Sequence, residues 1–379
     1  MKRIVVCCDG SWNDRGAGLM TNVGRIAQAV TTVGGPRVPL PGTALPDPPD
    51  DRPVEQLAYY HAGVGSEWSL ASKLTGGAFG RGLTGTVLEA YRFIVDNYCP
   101  GPDGTGLGGD EIYLFGFSRG AFTARSISGL MRKAGLLKKE YSHHCEAAFD
   151  IYRLRPRRED DGDTTAPGNV DGPEATAFRA ACSWPEVNPY FIGVWDTVGA
   201  LGIPSQGWGP NRLARSKFGF HDQRLSRRVP YAYHALAIDE QRRAFIPTVW
   251  EVQPGGQQTV EQRWFAGVHS DIGGAYADTG LSDISFCWMR DMAAKAGLRF
   301  DPAYGDDHGD ARRIEVDPNP NGPLHNSLSL VFRILRPYQR PLNYLDDTQT
   351  VAPEARARRD DPTMTYDPPN LRDYLARSG

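Results

Sequence analysis

Short apolar runs that alternate with amphipathic stretches predict the secondary structure of this chain. Residues 3–8 are apolar and β-branched, and Asp9-Gly10 follows them, which indicates a buried strand that ends in a turn. Residues 22–32 are apolar at helical spacing, and Gly34-Gly35-Pro36 then provides a stop signal. A strand followed by a helix predicts the start of a βαβ unit, and therefore a parallel sheet.

The same alternation continues along most of the chain. Further strands are predicted at residues 57–62, 111–115, 189–195 and 263–268, and further helices at 86–98, 121–134, 234–239 and 282–297. This order predicts an α/β fold with a mostly parallel central sheet and helices on both faces.

Three stretches interrupt the alternation. Residues 36–53 are rich in Pro, Gly and Asp, and residues 140–186 are a polar mixture, so we interpret both as loop insertions. The tail, residues 301–379, is predicted to be loop-rich, and beyond residue 353 it is charged with little core content.

Composition narrows the class of protein. Lys plus Arg number 42 and Asp plus Glu 45, and this balance does not favour a nucleic acid or an anionic membrane as partner. The six cysteines include no CxxC pair, which argues against a disulfide scaffold or a zinc module. The apolar run at residues 4–8 is too short for a signal peptide, and no stretch approaches the ~18 apolar residues of a membrane span. We therefore expect a cytoplasmic protein, with signal-less export left open.

One motif carries chemistry. Gly116-Phe117-Ser118-Arg119-Gly120 directly follows the predicted strand at 111–115 and directly precedes the predicted helix at 121–134. In this context G-x-S-x-G is the nucleophile elbow of α/β-hydrolases, a strained turn in which the flanking glycines prevent collisions with the neighbouring strand and helix. The sequence therefore predicts an α/β-hydrolase-like fold with Ser118 as the nucleophile.

A serine nucleophile needs a base and a carboxylate, and on this fold both come later in the chain, each after a strand. Asp196 ends the predicted strand at 189–195, and His269 ends the one at 263–268. We assign His269 as general base and acid, and Asp196 as the group that orients it. Asp271 is an alternative acid, although its place in Asp271-Ile-Gly-Gly suggests that it braces the turn. The other histidines lack a strand-end setting.

The oxyanion formed by nucleophilic attack needs two backbone N–H donors. One is the amide of Arg119, the residue after the nucleophile. We expect the other from the turn after the first strand, where Gly10 allows close backbone approach and Asp9 and Ser11 line the same turn.

Two other motifs indicate different functions, but each lacks a feature that its function requires. Gly80-x-Gly82-x-x-Gly85 matches the dinucleotide fingerprint, but a Gly-rich loop precedes it instead of a strand. We interpret that loop as lying near the active-site mouth, with Trp68, Leu70, Leu74 and Phe79 forming either an acyl-binding lid or core. Asp9-Gly10-Ser11 is similar to the opening of aspartate-nucleophile phosphatases, but Cys7 stands where their nucleophilic carboxylate belongs. No metal-ligand spacing occurs, and neither a metal nor a cofactor is expected.

Five separated motifs together resemble one family. They are Cys8-Asp-Gly-Ser-Trp-Asn13, Tyr60-His-Ala-Gly-Val-Gly65, Gly116-Phe-Ser-Arg-Gly-Ala-Phe-Thr-Ala-Arg125, Val194-Trp-Asp-Thr-Val-Gly199 and Gly267-Val-His-Ser-Asp-Ile-Gly-Gly274. In this order, over residues 4–276, they resemble an α/β-hydrolase-like domain family, formerly of unknown function, that includes type VI secretion phospholipase effectors of the first lipase class. The resemblance implies a triad of Ser118, Asp196 and His269, ester hydrolysis, and phospholipids as the substrate class of secreted members.

These observations predict one α/β-hydrolase-like catalytic domain over residues 1–379, because groups at residues 10, 118, 196 and 269 must converge. We expect a serine esterase or lipase that cleaves lipid or phospholipid-like esters through an acyl-enzyme. A thioesterase or peptidase with the same triad stays open, as does a non-catalytic interaction module on a hydrolase scaffold. The expected partner is a small-molecule or lipid ester, with no nucleic acid and no integral membrane segment. Contact with a membrane surface or a secretion system stays open.

Overall fold

We describe the chain from a computed structural model. The structure describes residues 1–10, 19–34, 53–63, 76–102, 104, 108–156, 163–199, 224–252, 257–301, 316–328, 337–343 and 345–378. The predicted insertion at 36–53 lies outside these residues except for its last position. Ser11 and the apolar residues Trp68, Leu70 and Leu74 also lie outside them.

A mostly parallel sheet forms the centre of the molecule. The strands are β1 (Lys2–Cys8), β2 (Val33–Gly34), β3 (Val54–His61), β4 (Glu111–Phe117), β5 (Leu136–Leu137), β6 (Ser183–Trp184), β7 (Phe191–Trp195), β8 (Tyr231–Ala237), β9 (Thr259–Phe265) and β10 (Gln349–Val351). Within the described residues, eight of them form one sheet in the order β10-β9-β8-β7-β4-β1-β3-β2. Only the β2–β3 pair in this sheet is antiparallel, and β5 pairs with β6 separately.

Helices lie between most of these strands. They are α1 (Asn22–Ala29), α2 (Gly76–Asn97), α3 (Arg119–Ala134), α4 (Cys145–Arg153), α5 (Pro173–Cys182), α6 (His269–Gly273), α7 (Gly280–Lys295), α8 (Pro353–Asp360) and α9 (Pro369–Ser378). Short 3₁₀ helices occur at Lys139–His144 and Arg243–Phe245.

The sheet is buried on both faces, as its parallel strands require. In β1, Val5 and Cys7 belong to one apolar cluster, while Ile4, Val6 and Cys8 belong to another, because successive side chains of a strand point to opposite faces. Helices α1, α7, α8 and α9 contribute to the first cluster, and α2, α3 and α4 to the second. The predicted α/β-hydrolase-like fold, with helices on both faces, is therefore confirmed.

The helix predicted at residues 234–239 is wrong. Most of this segment belongs to β8, which pairs with β7 on one side and β9 on the other. Its alanines favour a helix by intrinsic propensity, but pairing on both sides and burial of Ala232, Ala235 and Ala237 outweigh that preference. The change matters for the site, because it puts His234 inside the sheet.

The boundary predicted for α2 is also wrong. The helix begins at Gly76, ten residues before the predicted start at residue 86. Gly80, Gly82 and Gly85 therefore lie within a helix and not in the strand-to-helix turn that the dinucleotide fingerprint requires.

The tail and the segment 140–186 hold more core than predicted. In the tail, β10 joins the sheet beside β9, and Ala355, Leu371 and Tyr374 are buried in the first cluster. In residues 140–186, α4 packs Cys145 and Phe149 into the second cluster. The described residues of both segments present mostly polar side chains to solvent, and the few apolar residues gave too weak a pattern to be recognised.

The burial of Leu371 gives a direct test of the tail's place in the core. We expect Leu371→Ala, at a fully buried position, to lower the free energy of unfolding by about 2–5 kcal/mol, because it removes contacts and leaves a cavity. The matched control is Leu345→Ala, also in the tail but 77% exposed, which should change stability by less than about 0.5 kcal/mol. Urea unfolding of the full chain measures both. Equal effects would contradict the packing described.

Candidate active site

Ser118 occupies a sharp turn between β4 and α3. Its backbone has φ 58° and ψ −117°, a combination that costs energy for a residue other than glycine. Its amide donates a hydrogen bond of 3.0 Å to the Trp195 carbonyl, at the end of the neighbouring strand β7. The G-x-S-x-G motif thus forms the strained strand-to-helix turn that its sequence context predicted.

The two glycines of this motif are required by close backbone approach. A Cβ atom added to Gly116 would lie 2.6 Å from the backbone nitrogen and Cα of Ala121. One added to Gly120 would overlap the Cys8 carbonyl oxygen and lie 2.7 Å from the carbonyl carbon of Asp9. Any side chain at either position would therefore push α3 away from β4 or β1.

Asp196 and His269 meet at the carboxyl edge of the sheet. Nδ1 of His269 lies 2.6 Å from Oδ2 of Asp196, and both side chains are buried. Asp196 directly follows β7 with φ 40°, and His269 begins α6 after β9. The ring centroid of Phe117, the residue before Ser118, lies 4.6 Å from that of the imidazole, and the Phe245 ring centroid lies 4.8 Å from it.

The three predicted triad residues therefore share one edge of the sheet, although one contact is absent. Within the described part of the chain, the Ser118 hydroxyl has no hydrogen bond to the His269 ring. Catalytic hydrogen bonds are often long in a protein without substrate and shorten in the complex. The catalytic roles of Ser118, Asp196 and His269 thus stay a prediction.

Arg340 is a residue of the site that the sequence did not reveal. Its Nη1 lies 2.6 Å from Oδ1 of Asp196, and its Nη2 lies 3.0 Å from Oδ2. Burial alone would raise the pKa of the Asp196 carboxyl, but the Arg340 charge and the hydrogen bond with His269 hold it well below its ordinary value. A single arginine in a loop-rich tail has no sequence signal that could have identified it.

The turn that carries His269 is fixed through its backbone. The His269 amide donates to Glu240 Oε2 at 3.3 Å, and the Val268 amide donates to Asp271 Oδ2 at 2.9 Å. From the other side, the Asn22 side-chain amide donates to the Ile272 carbonyl at 2.9 Å. Glu240 and Asn22 were also missed, because neither belongs to a recognisable motif.

Asp271 has a different histidine as its partner. Its Oδ1 lies 2.6 Å from Nδ1 of His325, whose ring stacks on Tyr276 with 3.8 Å between centroids. Burial raises the pKa of the Asp271 carboxyl, although hydrogen bonds from Val268 and His325 oppose the increase. These contacts support the prediction that Asp271 braces the turn.

Gly10 lies beside Ser118, which is where a loop that lines an oxyanion hole is expected. A Cβ atom added to it would be 3.3 Å from the Cβ of Ser118. Its amide already donates to Asp9 Oδ1 at 2.6 Å, while Asp9 Oδ2 accepts from Thr21 and Tyr60 at 2.6 and 2.7 Å. Asp9 thus holds this turn, and a Gly10 donor would have to be shared with it. The oxyanion roles of Gly10 and Arg119 stay predictions.

The described ranges also bear on metal binding and on membrane insertion. They contain no group of three His, Cys, Asp or Glu side chains placed to hold a metal ion. They also contain no helix that is both long enough and apolar enough to cross a bilayer.

A protein-family model matches most of this chain. The model described as T6SS, phospholipase effector Tle1-like, catalytic domain matches residues 2–292. The protein YEL023C of Saccharomyces cerevisiae is 26% identical over 258 residues, which are 64% of this chain and 32% of that protein. This chain thus spans about a third of that relative's length.

Two solved structures are similar in part. An uncharacterized protein from Pseudomonas aeruginosa is 16% identical with a TM-score of 0.42, and the match covers 79% of this chain and 46% of that one. The Tle1 effector bound to the VgrG spike of the type 6 secretion system is 15% identical with a TM-score of 0.34, over 74% of this chain and 52% of that one.

The close approach at the elbow predicts opposite effects for two Gly-to-Ala substitutions. We expect Gly120→Ala to lower the free energy of unfolding by about 1–3 kcal/mol, because its Cβ collides with the backbone of β1. Gly85→Ala, in α2, should raise it by about 0.5–1 kcal/mol, because the added Cβ meets nothing within 4 Å. Thermal and urea unfolding measure both variants. A neutral Gly120→Ala would show that the elbow does not pack as described.

Proposed function

This chain belongs to the family of Tle1-like phospholipase effector catalytic domains, and we propose that it is a serine hydrolase that cleaves carboxylic esters of lipids. The observation that carries the proposal is the meeting of three sequence-distant groups at one edge of the sheet. A strained serine elbow lies beside a buried Asp–His pair there. Family membership supports phospholipids as the substrate class.

In the proposed reaction, the Ser118 hydroxyl oxygen attacks the ester carbonyl while His269 accepts the hydroxyl proton. Because Nδ1 of His269 faces Asp196, Nε2 is the ring nitrogen left to accept that proton. The tetrahedral intermediate then collapses to an acyl ester on Ser118, and His269 returns the proton to the leaving alcohol. In the second half of the cycle His269 takes a proton from water, whose oxygen attacks the acyl carbonyl. His269 then returns that proton to the Ser118 oxygen as the ester bond breaks and the fatty acid leaves.

Asp196 supports this cycle without accepting a proton. Its carboxylate fixes the tautomer and orientation of His269 and stabilises the imidazolium formed during each transfer. Backbone N–H groups of Arg119 and of the Gly10 turn are proposed to bind the oxyanion. Losing one such donor typically lowers the rate by about 10²–10³-fold.

The surroundings of the imidazole favour an ester with an apolar part. The rings of Phe117 and Phe245 flank the His269 side chain, and Phe117 is itself buried next to the nucleophile.

A screen of esters across acyl lengths, with thioester and peptide substrates alongside, separates lipase activity from thioesterase and peptidase activity. Absence of turnover on every class would favour the non-catalytic alternative.

We expect a fluorophosphonate probe to label the wild-type chain at Ser118, and phospholipid vesicles to release fatty acid on incubation with it. Ser118→Ala should lose both, because the acyl acceptor is removed. Ser128→Ala, a buried serine on α3 away from the elbow, is the matched control and should retain both. Peptide mapping of the labelled chain identifies the site. Labelling that persists in Ser118→Ala would refute the proposal.

The two carboxylates after the strand ends predict different outcomes. Asp196→Asn should lower ester turnover on the order of 10⁴-fold, as the same change does in serine proteases, because His269 is no longer held in the correct tautomer. It should also lower stability, because the buried Arg340 loses its countercharge. Asp271→Asn should lower stability more than turnover, because its contacts go to Val268 and His325. Initial rates and unfolding curves of both variants test this. Unchanged turnover in Asp196→Asn would assign the acid role elsewhere.

A further inference from the structure

Arg340 reaches the active site from outside the part of the chain that the family model matches. That match ends at residue 292, whereas Arg340 lies in the tail between α7 and β10. Its backbone carbonyl accepts a hydrogen bond of 3.1 Å from the Asn370 side chain, at the start of α9. The residue is thus held by the same tail elements that pack on the sheet.

We propose that Arg340 is a positioning residue of the active site, which fixes the Asp196 carboxylate in the orientation that meets His269. The inference rests on the proposed function, because it assigns Arg340 a role in the same triad. It also makes the tail a functional part of the catalytic unit.

The hydrogen bonds of Asp196 leave its carboxylate one orientation. Oδ1 accepts from the Ala237 amide at 3.1 Å and from Arg340 Nη1 at 2.6 Å. Oδ2 accepts from Arg340 Nη2 at 3.0 Å and meets His269 Nδ1 at 2.6 Å. Because the guanidinium fork spans both oxygens, rotation of the carboxylate would break two charged hydrogen bonds at once.

Arg340 is itself held rigidly. Its Nη1 also donates to the Ala237 carbonyl at 2.9 Å, and its Nη2 to the Phe245 carbonyl at 2.5 Å. Its side chain is only 1% exposed, so water does not screen the pair with Asp196. A lysine could supply the charge but not the two-pronged geometry.

Other charged or titratable groups surround this pair. His269 approaches from α6, and Glu240 lies beside it, bound to Arg242. His234 lies on β8, where burial and the nearby Arg125 charge lower its pKa to about 3 and keep it neutral. Among the described residues, Arg340 is therefore the permanent cation in direct contact with Asp196.

The test measures how fast a fluorophosphonate labels Ser118 in the full chain as a function of pH. In Arg340→Gln we expect the rate to fall on the order of 10²-fold, as for a displaced catalytic group. We also expect the acid limb of the profile to move to higher pH. Burial raises the pKa of Asp196, and without the guanidinium only His269 still lowers it, so the carboxylate is protonated at a higher pH than in the wild type. Arg340→Lys keeps the positive charge, so it should not move the acid limb. It loses the two-pronged geometry, so it should be labelled more slowly than the wild type.

Two controls separate positioning from general stability. Arg358→Gln removes another buried arginine of the tail, which binds the Pro320 and Gly322 carbonyls, and should lower the melting temperature without moving the acid limb. In an Asp196→Asn background, Arg340→Gln should have little further effect on the labelling rate, because the carboxylate it positions is gone.

The outcomes distinguish this inference from the proposed function. If wild-type Ser118 is not labelled, both fail together. If wild type is labelled and folded Arg340→Gln keeps its rate and acid limb, the positioning inference alone is overturned. A full Arg340→Gln loss in the Asp196→Asn background overturns it as well. Should Arg340→Gln not fold, Arg340→Lys decides, since a wild-type labelling rate in that variant refutes the need for the fork.

Discussion

The buried carboxylate of Asp196 is the group on which the active-site edge of the sheet depends. A charge with no solvent exposure is very costly unless it is paired and hydrogen-bonded. The Ala237 amide, His269 and Arg340 satisfy it together, and they come from β8, from α6 and from the tail. The carboxylate of Asp196 therefore joins three parts of the chain that are distant in sequence, each of which contacts it directly.

The backbone is strained at two neighbouring turns, which contain Ser118 and Asp196. Ser118 and Asp196 both have positive φ, at 58° and 40°, and such conformations persist only where their surroundings over-determine them. The Ser118 amide donates to the carbonyl of Trp195, the residue before Asp196. The turn at Ser118 and the turn at Asp196 are thus joined by a main-chain hydrogen bond, and a shift in one would be transmitted to the other.

Residues beyond the end of the family match also contribute to the carboxyl edge of the sheet. The match ends at residue 292, but β10 extends the sheet and α9 carries Asn370, which holds Arg340. The matched residues include the Ser118 motif and the strand ends that precede Asp196 and His269, and these are local patterns of sequence. The partner of a buried carboxylate, by contrast, can be supplied by any segment that reaches it.

The sequence by itself determined the parallel sheet, the elbow at Ser118 and the strand ends that carry Asp196 and His269. These features follow from local patterns: apolar runs, glycines at close approaches and polar residues directly after strands. It did not determine β8, because alanine-rich segments favour helices and only pairing with strands on both sides decides otherwise. Tertiary structure alone decided how the buried charge is compensated, because Arg340 meets Asp196 across 144 positions of sequence and no local pattern can encode such a contact.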